Sequence, residues 1–531
     1  MAEQGRLGDA RASSTARTGR DTSRVRAHRA RSEPSVTLTS PAPAADATTA
    51  AGSSTPRLAT HYVDGEHVTG TGEREVGRVS PVTGEPSLVL VPATPDEVDA
   101  AVAAADRART AWRRTSPGDR AAALRTAAAA VRAAADELGA ALTASTGRLL
   151  GQSTGSALVA AEILEEAATT GLGATGRTLA GSTTAVDVVR REPHGVVAVI
   201  TPWNDPYPAA AGLIAAALVT GNTVVHKPSE RSALPGWELG RTIAEALPAG
   251  VLNVVNGDGE TGQAIVADPR VALVAQVGSS ATGRRIAAVA GARGARVLRE
   301  NGGKDPIVVD AGVDPAWAAQ QISIGAFVNT GQLCTSVERV YLHEDVADAV
   351  VTELVAIAEG MKVGAPDDDA TDLGPLVDAQ QLAVVEAHVD AAVRSGAELR
   401  TGGLRLDGPG AFYPPTVLEG CTVDMDVMTE ETFGPVAAIT RVPDFDTGLA
   451  LANEGRYGLA ATVLTPRLDH ALLAAEELEV GTVKINAVFG GAPGGSADPR
   501  RDSGAGAGYG PDLLAAMTVL KAVHLEPAVV A

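Results

Sequence analysis

The sequence predicts an α/β fold in which a doubly wound parallel sheet is followed by a second α/β unit. Three observations predict it. From Gly195, short β-branched runs alternate with segments of helical length. The alternation resumes after residue 306. Polar residues cluster just after the predicted strands, where sheets of this kind hold ligands.

In chain order, residues 1–56 come first, rich in Ala, Arg, Ser and Thr and without an aromatic side chain. Such a segment buries too little apolar surface to offset its ordering entropy, so a disordered tail is expected. Glu3, Asp9, Asp21 and Glu33 interrupt it, and its sparse apolar residues suit neither a transit helix nor a secretory signal. Order begins near Tyr62, where "YVDGEHV" and "REVGRVSPVTGEP" read as short strands broken by Asp-Gly and Thr-Gly turns. Thr94 and Glu97 have capping-box spacing, and Pro95 suits a first helical turn. Val98, Val102, Ala105 and Trp112 keep one face of that helix apolar. Alanine-rich helices are expected over 117–148 and 154–170.

The doubly wound part has strands at 196–201, 222–227, 251–256, 271–277 and 295–298. Helices are expected between them near 206–219, 234–247, 260–267 and 281–291. In the second unit, "PIVVD" and 339–343 read as strands, and 314–329 and 345–361 as helices. Residues 364–376 and 402–416 are irregular and rich in Gly and Pro. The end is glycine-rich from about 490 and helical at 511–518.

Composition excludes several functions. A net charge of −20 argues against nucleic acid or anionic membranes as partners. Two cysteines cannot build a disulfide framework and suit a reducing, cytoplasmic setting. No run approaches the roughly 18 apolar residues of a membrane span. The 531 residues suffice for two or three cored domains.

One cysteine, Cys334, sits in the polar turn "NTGQLCTSVER". A free cysteine is more often a small buried hydrophobe, so this placement asks for a reason. Cys421, in "LEGCTVDMDV", reads as structural. Four polar clusters follow predicted strands: "TPWNDPYP" with Asn204, "VVHKPSE" with Lys227 and Glu230, "LRENGGKDP" with Glu300, and "GQLCT" with Cys334. Taken singly they are weak. Asn204 could cap a helix, Glu300 could be a solvated carboxylate, and "GSSATG" is not the G-x-G-x-x-G fingerprint.

Taken in order, with "EETFGPV", "YGLA", "GTVKIN", an early "SPVTGE" and a late "SGAG", these clusters resemble the aldehyde dehydrogenase superfamily over roughly residues 60 to 525. The resemblance implies that family's fold. A Rossmann-like cofactor domain would span 57–299, with a small oligomerisation segment near 174–192. A catalytic α/β domain would span 300–490, and 491–531 would return to the cofactor and oligomerisation region. The implied activity is oxidation of a small aldehyde to an acid with NAD, in a homodimer or homotetramer and without a metal.

The roles implied by the resemblance fall on named residues. Cys334 stands at the nucleophile position, Glu300 at the general base and Asn204 at the oxyanion amide. Thr201, Pro202, Trp203, Lys227, Ser229, Glu230, Gly278, Ser279, Gly283, Glu431 and Phe433 stand at cofactor contacts. Among these, Lys227 and Glu230 fall at the adenosine ribose and Glu431 and Phe433 at the nicotinamide ribose. Ser279 falls where a helix N-terminus meets the pyrophosphate. A carboxylate at Glu230 accepts from ribose hydroxyls and repels a 2′-phosphate, which favours NAD over NADP; Lys227 pulls the other way.

Some positions depart from the family pattern. Gln276 replaces a usual Phe, Asn301 a usual Leu, and Asp205 an apolar residue. A charge at Asp205 could raise the pKa of Glu300 or Cys334. "NAVFGGAPGG" lacks an aromatic after Pro493, so the aldehyde stays unspecified. Two other readings stay open: an acylating enzyme that passes the acyl group to coenzyme A, and a silent structural homologue. Glu300 argues for water as acceptor, and intact Cys334, Glu300 and Asn204 argue against silence.

Overall fold

The structure, a computed structural model, describes residues 57–491 and 495–528. The tail expected at 1–56 lies outside the described residues.

Five parallel strands centre the first sheet: β1 (Val196–Ile200), β2 (Thr223–Lys227), β3 (Leu252–Val254), β4 (Val271–Val277) and β5 (Arg296–Glu300). They lie in the order 3-2-1-4-5. The order reverses between β1 and β4, so a crevice opens at the carboxyl ends of those strands. Residues Val196 to Val199 are all buried, as expected of a strand covered on both faces. Short antiparallel strands extend the sheet at both ends: His61–Val63 and then Glu66–Val68 beyond β3, and Gly504–Ala505 beside β5.

The capping box at Thr94 is reciprocal. Glu97 N–H donates to Thr94 Oγ1 at 3.3 Å, and Thr94 N–H donates to Glu97 Oε2 at 2.8 Å. The single helix expected over 117–148 is instead two, Pro117–Ala133 and Ala135–Thr146. Ala134 leaves helical geometry between them, at φ −94° and ψ 8°. Helix Leu150–Thr170 packs on helix Pro206–Val219, and Leu124, Leu142, Leu164, Ile214 and Leu218 fill the core there. Helix Pro206–Val219 is apolar all round because it is a core helix. Among the described residues no helix is long and apolar enough to cross a membrane.

The second sheet holds six parallel strands: β6 (Asp305–Val309), β7 (Val337–His343), β8 (Thr416–Glu419), β9 (Val436–Val442), β10 (Ala460–Leu464) and β11 (Thr482–Ile485). Their order is 8-9-7-6-10-11. Between 379 and 485 the sequence alone predicts no element. Yet β8 to β11 lie there, with helices Ala379–Arg394, Phe445–Asn453 and Leu468–Glu477. Most of these elements are too short for periodicity to stand out. A third sheet joins Arg177–Leu179, Val186–Pro193 and Thr518–Leu525, all antiparallel, and leaves Leu179, Val186, Leu520 and Leu525 exposed.

The site follows from connectivity. Only Asn301, Gly302, Gly303 and Lys304 separate the end of β5 from the start of β6. Glu300 therefore closes a strand of the first sheet, while Cys334 lies just before β7 of the second.

Candidate active site

The turn that carries Cys334 is strained and tightly held. After helix Pro315–Phe327, three consecutive residues are left-handed: Asn329 (φ 52°), Thr330 (φ 57°) and Gly331 (φ 70°). A non-glycine residue there costs about 1–3 kcal/mol, so the surroundings must impose it. Asn329 Nδ2 donates to the carbonyls of Asn204 (3.3 Å) and Gln332 (3.2 Å). Thr330 Oγ1 donates to Gly374 O at 3.0 Å. Gln332 Nε2 donates to Asn329 O at 3.1 Å, and Gln332 Oε1 accepts from Val377 N–H at 2.9 Å. A Cβ on Gly331 would lie 2.1 Å from Gly434 O, so only glycine lets the turn close on the "FGP" loop. Cys334, half-buried, sits at the end of this turn.

Asn204 faces the same turn. Its Nδ2 donates to Gln332 O at 3.0 Å, two residues before Cys334. It does not cap the following helix; Asp205 holds the cap position, without a side-chain cap bond. Instead Asp205 Oδ1 accepts from Arg148 Nη1 (2.7 Å) and Ser156 Oγ (2.6 Å). Arg148 Nη1 also donates to Asn204 O at 3.2 Å. The carboxylate that could disturb both Glu300 and Cys334 is thus paired with an arginine. It comes last among the influences on Cys334 and is absent from those on Glu300.

The two glycines after Glu300 are there for close approach. A Cβ on Gly302 would lie 2.2 Å from Glu431 Oε1, and one on Gly303 would lie 2.8 Å from Cys334 O. The backbone passes between Glu431 and Cys334, and Gly303 N–H donates to Glu431 Oε1 at 3.2 Å. A Cβ on Gly508 would lie 2.3 Å from Glu300 Oε1, so the C-terminal glycine segment makes room for that carboxyl.

Burial dominates the electrostatics. It lifts the Glu300 carboxyl to about 8, with Asp498 adding to the rise. It lifts Glu431 to about 8, with Glu338 next. The Cys334 thiol is pushed up to about 12 by burial, then by Asp305, Glu300, Glu431 and Asp205. The protein's own groups therefore do not stabilise a Cys334 thiolate. Four carboxyl side chains surround the thiol and oppose its ionisation.

The crevice at the carboxyl ends of β1, β2 and β4 gathers most of the remaining predicted residues. Thr201 N–H donates to Lys227 O at 3.2 Å, and Thr201 Oγ1 lies 2.9 Å from His226 Nε2. Pro202 and Trp203 follow, half-buried. The buried Lys227 donates to Pro228 O at 3.0 Å and stands 3.7 Å from the Glu230 carboxylate, whose side chain is 39% exposed. Ser229 caps the short turn Glu230–Ser232. Ser279 caps helix Ser280–Ala292 by accepting Thr282 N–H at 3.3 Å, beside the half-buried Gly278. At Gly283 a Cβ would lie 2.3 Å from Asn301 Oδ1, so the helix packs closely on that side chain. The buried Gln276 amide has no partner for either polar atom among the described residues. The Trp203 and Phe433 rings meet edge to face with centroids 5.5 Å apart.

A family model described as the aldehyde dehydrogenase family matches residues 67–523. The chain belongs to the aldehyde dehydrogenase family. It is 38% identical over 452 residues to alpha-ketoglutarate semialdehyde dehydrogenase of Haloferax volcanii, covering 80% of this chain and 90% of that one. It is 36% identical over 435 residues to betaine aldehyde dehydrogenase of Cereibacter sphaeroides, covering 81% and 89%. The solved structure of an NAD-dependent aldehyde dehydrogenase from Sinorhizobium meliloti superposes with a TM-score of 0.86 at 34% identity, over 90% of this chain and 96% of that one. The fold is thus the aldehyde dehydrogenase fold, and the protein is an oxidoreductase that acts on aldehydes.

This aldehyde dehydrogenase holds its site with residues that sequence motifs did not reveal. Phe433 is left-handed (φ 53°), and its N–H and that of Thr432 donate to the Glu338 carboxylate at 2.9 and 2.7 Å. Glu338 pairs with Lys304 at 2.6 Å, both buried. One signal pointed there: Lys304 is one of five lysines and lies in a motif beside a strand, where a buried ammonium needs a carboxylate. Arg148 gave no such signal, and Gln332, inside "GQLCT", was given no role. Cys421, 2% exposed within the second core, matches its structural reading.

Proposed function

We propose that the enzyme oxidises a small polar aldehyde to its acid through a thioester on Cys334. One observation supports this: Asn204 Nδ2 is hydrogen-bonded into the Cys334 turn, and the backbone at Gly303, three residues after Glu300, passes against Cys334 O. The Cys334 thiol gives its proton to water, and Sγ then bonds to the aldehyde carbon. The charge that develops on the aldehyde oxygen is met by Asn204 Nδ2, which has a second N–H besides the one given to Gln332 O, and by the Cys334 backbone N–H. Oxidation leaves a thioester on Cys334. Water then attacks the thioester carbon, its proton passes to the Glu300 carboxylate, and the C–S bond breaks to release the acid. Because burial holds Glu300 near 8, the carboxyl carries its proton at neutral pH, and its ionisation gates this last step.

The crevice fits NAD. Lys227 and Glu230 would hold the adenosine ribose, Ser279 at the start of helix Ser280–Ala292 the pyrophosphate, and Glu431 and Phe433 the nicotinamide side. The unpartnered Gln276 amide beside Gly278 marks a place where a polar ligand is wanted. When bound, NAD supplies a hydride acceptor and a cationic ring. Glu230 favours NAD over NADP, since its exposed carboxylate opposes a 2′-phosphate more than the buried Lys227 attracts one.

The polar aldehyde is supported by the relatives named for alpha-ketoglutarate semialdehyde and betaine aldehyde, and by the polar Asp205–Arg148–Ser156 group beside Asn204. We further infer division into a cofactor part (57–299), a catalytic part (300–490) and a returning segment (491–531). A homodimer or homotetramer would form through the third sheet, whose exposed Leu179, Val186, Leu520 and Leu525 favour burial. The two free cysteines suit the cytoplasm. The test is a panel of polar and apolar aldehydes with NAD, with and without coenzyme A, following the reduced cofactor. Acid formation without coenzyme A is expected. A rate that requires coenzyme A would overturn the hydrolytic reading.

A further inference from the structure

A second concave site lies at the amino-terminal end of the strands of the first sheet. A cavity of about 350 Å³ opens between the end of helix Pro95–Arg114, the start of helix Pro117–Ala133, residues 171–175 and the strand Val186–Pro193. Five arginines line it: Arg113, Arg114, Arg120, Arg190 and Arg191. Its walls carry one acidic side chain, Glu192, which is already paired with Arg113 at 3.0 Å and Lys521 at 2.5 Å. Those neighbours, the Lys521 hydrogen bond first, hold the Glu192 carboxyl below its usual range. Asp119, at the start of the adjoining helix, is engaged by Ser116 Oγ at 2.7 Å.

Of the other arginines, only Arg190 acts on Glu192, and at longer range than an ion pair. Arg114, Arg120, Arg190 and Arg191 make no ion pair among the described residues. Arg120 is 9% exposed and is held only by carbonyls, Val219 O at 2.9 Å and Thr115 O at 2.6 Å. Burial lowers its pKa with nothing to offset the shift. Arg190 stands directly opposite Lys521 across the sheet, where like charges repel. In a chain of net charge −20 this cluster is a local excess of cation that a dianion would relieve. Guanidinium forks match phosphate oxygens in pairs.

The cavity is distinct from the cofactor crevice. Val219 and Thr220 in its wall end the helix that begins just after Asn204, and fourteen residues of helix span about 20 Å. It opens near the amino ends of β1 and β2, whereas the crevice lies at their carboxyl ends. We propose that this arginine-lined cavity binds a small molecule carrying a phosphate or pyrophosphate group.

The experiment titrates pyrophosphate, and separately inorganic phosphate, into the full chain by calorimetry at fixed ionic strength. NAD is kept saturating so that the cofactor crevice is filled. Saturable binding is expected, weakened about tenfold or more in the Arg114→Gln/Arg190→Gln double variant. Its aldehyde oxidation without phosphate should match the parent rate. The single variant Arg114→Gln, at an exposed side chain, guards against a folding defect and should show a smaller loss in the same direction. Absence of saturable heat in the NAD-bound parent, or undiminished binding in both variants, would overturn the proposal.

Discussion

Cys334 and Cys421 are the same chemical group in two settings. Burial pushes both thiols up, to about 12 and about 11. Around Cys421 the neighbours are core side chains such as Met425, Met428 and Ala438, and its N–H donates to Ile439 O at 3.0 Å. Around Cys334 are a strained turn, an amide donor and four carboxyls. Neither environment stabilises a thiolate. What separates them is access and partners, since Cys334 is half-buried, with Glu300 among the carboxyls acting on it and the Asn204 amide bonded into its turn. A raised thiol pKa is thus no mark of inertness when the counter-charge arrives with a ligand.

The comparison breaks most sharply at the thiols. Cys334→Ala should lower aldehyde oxidation at least about a thousandfold and leave NAD binding intact. Turnover at the parent rate would remove Cys334 from the mechanism. Glu300→Gln comes next. It should keep the initial burst of reduced cofactor while steady turnover drops about 10²–10⁴-fold. In the parent, kcat should rise as pH passes through about 8, because only the ionised carboxyl can take a proton from water. The Gln variant should lose that inflection, and an unchanged pH profile would assign the titration to another group.

Smaller effects sharpen the contrast. Gly331→Ala forces a left-handed alanine whose Cβ meets Gly434 O, so thermal unfolding should show a loss of more than about 2 kcal/mol with reduced kcat. A variant as stable as the parent would mean that the turn relaxes freely. Glu230→Ser should move the kcat/KM ratio about tenfold toward NADP. A ratio that stays put would place Glu230 away from the ribose. The smallest effect belongs to Cys421→Ala, which should cost about 1 kcal/mol of stability and leave activity near the parent value.

Much of the site was legible in the linear order of its residues. Strands β1 to β5, the helix Pro206–Val219 and the polar residues after each strand follow from local spacing, whereas Asn204, Glu300 and Cys334 as a set came only from the ordered motifs that resemble the family. The second sheet beyond residue 379 was not legible, because strands of four to seven residues between short helices leave no period to count. The break at Ala134 was hidden for the opposite reason: alanine runs on either side read as one helix.

The sequence by itself determined which groups are available for chemistry, since a thiol, a carboxyl and an amide in a fixed order are covalent facts. Only the tertiary structure decided their state. Arg148 reaches Asp205 across 57 positions, Glu338 reaches Thr432 across 94, and the arginines of the second cavity come from segments far apart in the chain. Burial and charge are sums over such distant neighbours. The Glu300 proton, the Cys334 thiol and the unpaired arginines are therefore properties of the folded molecule and of no single stretch of it.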